Sequence, residues 1–304
     1  MTIDRLINLF VIATLIEMMA AIGLRVKFRE VGDIARNWNL LVRAVLANYV
    51  CVPVITVGLL LWFRSAPMVA AGFLIIAVCP GAAYGPPLTA IARGNVAVAV
   101  GLMVVLAGSS AVLAPLLLQF LMPLMAADQA LKVNGPKIVG TLLVSQLLPL
   151  SAGLCVRQWR PALADRLKHP AQRLSAALNL CVVGLILVVH FRTLAAIRPI
   201  GFAGMLALVS ASLAAGWLLG EPGGDNRKAM GFSTSVRNVA VGLVIATASF
   251  PESPAVTAAL AYGLFQTAVL ALVALAWSRL ETTAGLAVVK PWYRRSETIA
   301  CPRS

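Results

Sequence analysis

The strongest constraint on this chain is a series of apolar stretches, each about twenty residues long, with few or no charges. Nine of them recur along the sequence, at roughly 4–24, 38–63, 67–92, 96–124, 137–156, 172–191, 199–219, 229–250 and 255–279. About twenty apolar residues in a helix cross the hydrocarbon core of a bilayer. The whole chain is 60% hydrophobic, 12% charged and has a mean hydropathy of +0.90, unlike a soluble domain. The sequence therefore predicts an all-α polytopic membrane protein with about nine transmembrane helices.

The basic residues divide unevenly between the two sides that nine spans define. Seventeen Lys and Arg residues fall on one side and six on the other. Because cytoplasmic segments carry the excess of Lys and Arg, we expect the N-terminus outside and the C-terminus, with a tail at 280–304, in the cytoplasm. The membrane would be a bacterial-type inner or plasma membrane. The net charge of +14 is then mostly a topology signal, and we expect no nucleic-acid partner.

Sequence motifs for catalysis or metal binding are absent. The chain has no Walker loop, nucleophile elbow, zinc-protease motif or dinucleotide-binding fingerprint. Its five cysteines are scattered and make no C-x-x-C pair. We therefore expect no enzyme, no metal site and no cofactor.

The third apolar stretch is interrupted by the segment CPGAAYGPP at 79–87. Pro80 and Gly81 favour the end of one helix. Pro86 and Pro87 suit the first turn of the next helix, where a missing N–H is harmless. Since unpaired backbone groups are costly in lipid, a break at this depth indicates a function that uses the free helix ends.

The eighth stretch has a corresponding interruption, STSVRN at 233–238, with Arg237 near its middle. Two interrupted spans in corresponding halves of a chain indicate a transport site near the bilayer midplane. Half-helix ends offer dipoles to ions and charged substrates. Simple kinks in packed helices are the alternative, which the arginine disfavours.

Several words of the sequence resemble the bile acid:sodium symporter family. They are CPG at 79–81, ARGNVAVAV at 92–100, LAPLL at 113–117, SVRNVAVGLVIA at 235–246 and LANYVCVP at 46–53. The resemblance covers essentially the whole nine-span layout. It implies inverted repeats with two broken helices that cross in a core domain, and a panel domain that moves relative to the core. It also implies transport of bile acids or other organic anions together with sodium.

Carried over to this chain, the resemblance divides one transmembrane transporter domain, 1–304, into two groups of helices. The panel would hold about 4–24, 137–156 and 172–191, and the core about 38–124 and 199–279. The substrate-binding residues it implies lie at the crossing: Asn48, Tyr84, Gly85, Pro86, Ser233, Thr234, Arg237 and Asn238.

The chain departs from the family at the positions that would hold sodium. Residues without a side-chain oxygen stand at four of them: Gly85, Pro86, Ala99 and Met103. Ser233 replaces the family's glutamate and Arg237 its glutamine, while Asn48 is a conservative change and the asparagine at Asn238 is retained. Hard cations need a shell of oxygen ligands. We therefore expect sodium coupling to be lost or strongly altered, with the guanidinium of Arg237 in place of an ion.

An arginine at membrane depth needs a partner. Glu17, the acidic residue within the first stretch, is one candidate, although by the family layout it belongs to the panel, so the contact would depend on the transport state. Alternatively, Glu17 points toward the cytoplasmic surface near Arg25. A substrate carboxylate, which arginine binds bidentately, is the other candidate partner of Arg237.

We expect a secondary transporter of an organic anion, either bile-acid-like or a smaller carboxylate, that works by alternating access. A passive uniporter or channel, and a membrane sensor that has lost transport, are the alternatives.

Overall fold

The computed structural model describes residues 3–125, 134–195 and 197–293. Within these ranges the regular structure is helical and contains no strand. The helices are α1 (Ile3–Arg25), α2 (Phe28–Arg36), α3 (Trp38–Trp62), α4 (Pro67–Ala77), α5 (Gly85–Ile91), α6 (Val96–Leu121), α7 (Gly135–Trp159), α8 (Pro161–Ala195), α9 (Pro199–Leu219), α10 (Gly224–Ser235), α11 (Val239–Ser249) and α12 (Pro254–Tyr293). The prediction of an all-α polytopic membrane protein is confirmed. Of the predicted tail, 294–304 lies outside the described residues.

Helix length bears on the predicted count of nine spans. In the described part of the chain six helical segments are long and apolar enough to cross a membrane: α3, α6, α7, α9, α10 with α11, and α12. The pair α1 and α2, bent by 85° between them, makes a seventh if it is taken as one span. α4 has 11 residues and is too short to cross alone, because it is only the first piece of a broken stretch. The count of nine is therefore not confirmed.

Two long helices each contain one π-helical turn, at Ala47–Cys51 in α3 and at Leu143–Leu147 in α7. A proline follows each turn, Pro53 and Pro149, and proline lacks the N–H that would continue the regular ladder. π-turns are frequent at functional sites. The polar side chains that these two turns bury are Asn48, Tyr49, Ser145 and Gln146.

α1 packs along both α7 and α8. Glycines allow the close approach of α1 and α7: a Cβ on Gly23 would lie 2.8 Å from the Cα of Gly153. Small residues at helix interfaces are typical of association in lipid, where van der Waals packing replaces the hydrophobic effect. The three stretches assigned to a panel are thus in mutual contact, and their movement as a separate domain stays a prediction.

The remaining helices surround the two breaks. α4 packs on α12, α9 on α10, and α6 lies behind both α5 and α10. Glycine again permits the approach of α9 and α10, since a Cβ on Gly216 would lie 2.8 Å from the Cα of Gly231. The rings of Phe73 on α4 and Tyr262 on α12 meet edge to face, with centroids 5.7 Å apart. This packing holds the broken helices in a fixed crossing.

Candidate functional site

The first break connects the end of α4 at Ala77 to the start of α5 at Gly85. Gly81 has a φ of 82°, in the left-handed region that favours glycine. Its Cα also lies against α6, where a Cβ would collide with the backbone nitrogen of Ala107. Pro86 occupies the first turn of α5, as predicted.

The second break connects α10 to α11 through Val236, Arg237 and Asn238. The side chain of Asn238 caps α11 by accepting a hydrogen bond from the backbone N–H of Val241 at 3.3 Å. Such a cap satisfies one of the free N–H groups at a helix start. Asn95 caps α6 in the same way, with the N–H of Val98 at 3.2 Å.

These two caps carry a sequence signal that our interpretation of the sequence missed. The word Asn-Val-Ala-Val occurs at 95–98 and again at 238–241, and in each copy the asparagine begins a helix. The repeated word therefore marks the starts of two helices, α6 and α11, one in each half of the chain.

The two breaks are in direct contact. The backbone N–H of Asn238 donates to the carbonyl of Cys79 at 2.7 Å. The side-chain amide of Asn238 also donates to the carbonyl of Gly81, at 3.4 Å. Backbone groups that a break deprives of helical partners must find others. Each break therefore supplies partners for the other, and the predicted crossing of two broken helices is confirmed.

Arg237 lies at this crossing and is only 1% exposed. Its Nη1 donates to the carbonyl of Ala77, the last residue of α4, at 3.1 Å. Its Nη2 donates to the carbonyl of Thr234, in the last turn of α10. Because a helix C-terminus carries partial negative charge, the guanidinium lies between two negative dipole ends.

Gln266 on α12 fixes the backbone of Arg237. The Arg237 N–H donates to Oε1 of Gln266 at 3.1 Å, and Nε2 of Gln266 donates to the Arg237 carbonyl at 2.9 Å. Both polar ends of a buried amide are thereby used, and both backbone groups of Arg237 are satisfied. Residue 237 is held rigidly, so the direction of its side chain is set by the fold.

Among the described residues, no carboxylate pairs with Arg237. The ion pairs found in these ranges involve other residues. Backbone carbonyls therefore provide its counter-charge. Within the residues that the structure describes, the Nε atom of Arg237 has no hydrogen-bond partner.

Asn48 of α3 approaches the same buried region. Its Nδ2 donates to the carbonyl of Ala44 at 2.9 Å and to the hydroxyl of Thr234 at 3.4 Å. The Oδ1 of Asn48 and the hydroxyl of Ser233 are buried and have no partner among the described residues. The structure thus brings Asn48, Thr234, Arg237 and Asn238 together, and their role in binding a substrate stays a prediction.

A cavity of about 390 Å³ lies between α1 and α8 on one side and α11 and α12 on the other. Its walls are mostly apolar, and its polar lining residues are Thr14, Tyr84, Asn179 and Thr267. Of the predicted site residues, Tyr84 lines this cavity; its hydroxyl accepts a hydrogen bond from Nδ2 of Asn179. Asn179 was not predicted as a site residue.

The other predicted site residues are not part of the lining of this cavity: Asn48, Gly85, Pro86, Ser233, Thr234, Arg237 and Asn238. Val239 and Ala240, which directly follow Asn238, do line it. The crossing and the cavity are therefore adjacent but distinct.

Glu17 does not contact Arg237. Its carboxylate is half-buried and accepts a hydrogen bond from the hydroxyl of Ser175 on α8. Within the described ranges it also makes no ion pair with Arg25. The contact with Arg237 is absent in this conformation, and whether Glu17 points toward the cytoplasmic surface stays a prediction.

Broken helices that meet, with a buried charge between them and a cavity beside them, are features that secondary transporters share. The chain belongs to the sodium bile acid symporter family, whose sequence pattern matches residues 12–216. This confirms the resemblance found in the sequence. The matched range includes the first break and ends before the second.

Two relatives show how far the similarity extends. The chain is 24% identical over 253 residues to the uncharacterized sodium-dependent transporter YocS of Bacillus subtilis (strain 168), covering 80% of this chain and 75% of that protein. It is 25% identical over 151 residues to the probable sodium/metabolite cotransporter BASS2, chloroplastic, of Oryza sativa subsp. japonica, covering 49% of this chain and 35% of that protein. The chain is thus an integral, multi-pass membrane protein of a transporter family.

Proposed function

We propose that this protein is a secondary transporter that carries an organic anion by alternating access without binding sodium at the crossing. The observation that carries the proposal is the buried guanidinium of Arg237, bonded to the carbonyls of Ala77 and Thr234. A fixed cation there stabilises the same dipole ends that a bound sodium ion would stabilise. The names of the two relatives refer to sodium, so this chain would differ from them in its coupling.

The side chains at the crossing offer few free oxygen atoms for a sodium shell. Hard cations bind about six oxygen ligands. The buried side chains of Ala99 and Met103 carry no oxygen. Asn48 and Ser233 retain buried acceptors without a partner in the described chain, but the carbonyls of Ala77 and Thr234 are already engaged by Arg237.

The cavity beside the crossing supports a small organic anion as the substrate. Its volume of about 390 Å³ is near the lower end of the roughly 300–1,000 Å³ of ligand pockets, which favours a smaller carboxylate over a bile acid. Arg237 precedes the lining residue Val239 by two positions. Its positive charge acts through a low-dielectric interior and favours an anion over a cation in this space.

The walls of the cavity also support alternating access. One wall comes from α1 and α8 and the other from α11 and α12, which belong to the predicted panel and core. Movement of one pair relative to the other would open the cavity to one side of the membrane at a time. A passive uniporter is a second candidate. Arg237 favours it, because a guanidinium fixed in the protein cannot cross the membrane and drive transport as a bound sodium ion can.

Thermal unfolding of the purified full chain, followed by counterflow in liposomes, tests the proposal. Taurocholate and a series of smaller organic acids would be added in sodium, potassium or choline salts, because a bound ligand raises the free energy of unfolding. We expect at least one acid to stabilise the protein and to show counterflow at the same rate in all three salts. A cooperative sodium dependence would overturn the sodium-free site. Stabilisation without counterflow would overturn transport and favour a sensor, and conductance in a planar bilayer would indicate a channel.

A further inference from the structure

A second polar cluster lies where α8 faces α1 and the first break. We call it the α8 polar strip, and it consists of Glu17, Ser175, Asn179 and Tyr84. The carboxylate of Glu17 accepts from the hydroxyl of Ser175, and the amide of Asn179 donates to the hydroxyl of Tyr84. Ser175 and Asn179 are four positions apart on α8 and therefore share one face of that helix.

The strip reaches the cavity at one end, and Glu17 at its other end lies close to it. Tyr84 and Asn179 line the cavity directly. Thr14, which also lines it, lies three positions before Glu17 and so on the same side of α1. Glu17 is thus about one helical turn from the space in which a substrate would bind.

We propose that Glu17 is the proton-binding site of a proton-coupled transport cycle, which replaces coupling through sodium. The inference rests on the proposed anion transport. Glu17 is the acidic residue deep within an apolar stretch of the chain. Carboxyl groups at such depth are rare, and they mark ion pathways and proton relays.

The surroundings of Glu17 suit reversible binding of a proton. Its hydrogen-bond partner, the Ser175 hydroxyl, is neutral and can donate to a carboxylate or accept from a carboxylic acid. Either protonation state therefore keeps a hydrogen bond. A salt bridge to a basic residue would instead hold the group in its charged form.

The charged residues of the helices packed on α1 do not pair with Glu17. On α7, Arg157 is paired with Asp165, and on α8, Arg173 is exposed. α11 has no titratable side chain. The remaining titratable residues of α7, α8 and α1 that the structure describes are Lys137, Cys155, Arg166, Lys168, His169, Cys181 and Arg25. Across the described contacts, none of them is bonded or ion-paired with Glu17.

Charge explains how the proton and the substrate would be coupled. An ionised Glu17 and an anion in the adjacent cavity repel each other through a low-dielectric interior. The loaded cavity therefore favours the protonated acid, and the empty cavity favours the carboxylate. One proton taken up with each monoanion and released with it on the other side moves no net charge, because the positive charge of Arg237 stays fixed in the protein.

Counterflow and gradient-driven accumulation separate this inference from the proposed function. The full chain would be tested in liposomes with labelled taurocholate and methanesulfonate, whose sulfonates stay ionised, so leakage of a neutral acid cannot imitate coupling. Counterflow needs only exchange of the loaded carrier, whereas accumulation needs the coupling ion. With one proton per anion, we expect wild-type accumulation to rise by up to about tenfold per unit of pH difference.

Glu17→Gln is permanently neutral, so we expect it to keep counterflow and to lose pH-driven accumulation. Glu17→Asp should restore part of the accumulation. Glu30→Gln, which removes a carboxylate from α2 outside the cavity, is the matched control and should keep both activities.

Counterflow in wild type without pH-driven accumulation, or accumulation that persists in Glu17→Gln, would overturn proton coupling and leave anion transport intact. Absence of counterflow with both probes would count against the proposed function. Infrared difference spectra would then decide the proton site without a substrate. A protonated carboxyl band that appears in wild type as the pH is lowered and is missing in Glu17→Gln supports the inference; identical bands overturn it.

Discussion

The backbone N–H of Asn238 donates to the carbonyl of Cys79 at 2.7 Å, and this bond joins the two interruptions of the chain. Irregular backbone is tolerated at membrane depth only where protein or water satisfies its polar groups. Here the second break satisfies the first, with the Asn238 amide and the Arg237 guanidinium adding bonds to Gly81 and Ala77. The crossing is therefore a single polar unit, and a change at one break should affect the other.

Replacing Arg237 should destabilise the protein. Arg237→Met leaves the carbonyls of Ala77 and Thr234 without donors, and each lost hydrogen bond to a charged group is worth about 1.5–3 kcal/mol. Arg237→Lys should also lower the stability, since an ammonium lacks the planar fork that reaches both carbonyls. Thermal unfolding in detergent measures the effect. Arg29→Gln, at an exposed arginine of α2, is the control and should change little. Unfolding of Arg237→Met at the wild-type temperature would contradict this role.

Restoring the family's pair of residues should restore a response to sodium. The double variant Ser233→Glu with Arg237→Gln returns a carboxylate and an amide and releases the carbonyls of Ala77 and Thr234. We expect sodium chloride to stabilise this variant more than choline chloride at equal ionic strength, because a hard cation gains oxygen ligands. Arg237→Gln alone should respond less. If the double variant unfolds identically in both salts, the guanidinium does not stand in place of sodium.

The asparagine caps differ in what they hold, so their loss should differ in size. Replacing a helix-capping Asn by Ala costs about 1 kcal/mol. Asn134→Ala removes only the cap of α7, whereas Asn238→Ala also removes the bond to Gly81. We expect the larger drop in unfolding temperature for Asn238→Ala. Equal effects of the two substitutions would indicate that the crossing does not depend on this side chain.

The breaks were predictable from the sequence, while the use of Arg237 was not. Pro80, Gly81 and Pro86 mark the first break by their backbone chemistry alone. A sequence also indicates that a buried arginine needs counter-charge. It does not indicate that two helix ends will supply it, because the approach of Ala77 to Thr234 is a result of tertiary packing.

The cavity was not predictable from the sequence, because it forms where helices that are distant in the chain pack together. Asn179 is one polar residue in a long apolar stretch, and its meeting with Tyr84 depends on the rotation of α8 against the first break. The periodicity of apolar residues does not predict which face of α8 turns toward the first break, since lipid and neighbouring helices both accept apolar faces. For the same reason the sequence left the partner of Glu17 open, and packing against α8 supplied Ser175.

The orientation that the charge distribution predicts can be tested without a ligand. Positive-inside counting over nine spans assigns Met1 to the outside and Ser304 to the cytoplasm, two positions that lie outside the described residues. A fusion at the C-terminus to a reporter that fluoresces only in the cytoplasm should be bright. The same reporter after the sixth predicted stretch, at about residue 195, should be dark. An intact C-terminal fusion that stays dark would contradict the odd number of spans.

Two glycines of the first break offer a matched test of its geometry. Gly81 has a left-handed φ of 82°, and a Cβ there would collide with the backbone of Ala107, whereas a Cβ on Gly85 meets no atom within 4 Å. Gly81→Ala adds left-handed strain of about 1–2 kcal/mol and overpacking of about 1–3 kcal/mol. We expect it to lower the unfolding temperature strongly and to reduce counterflow, while Gly85→Ala stays near wild type in stability. If both variants unfold alike, the contact between the first break and α6 does not hold the crossing in place.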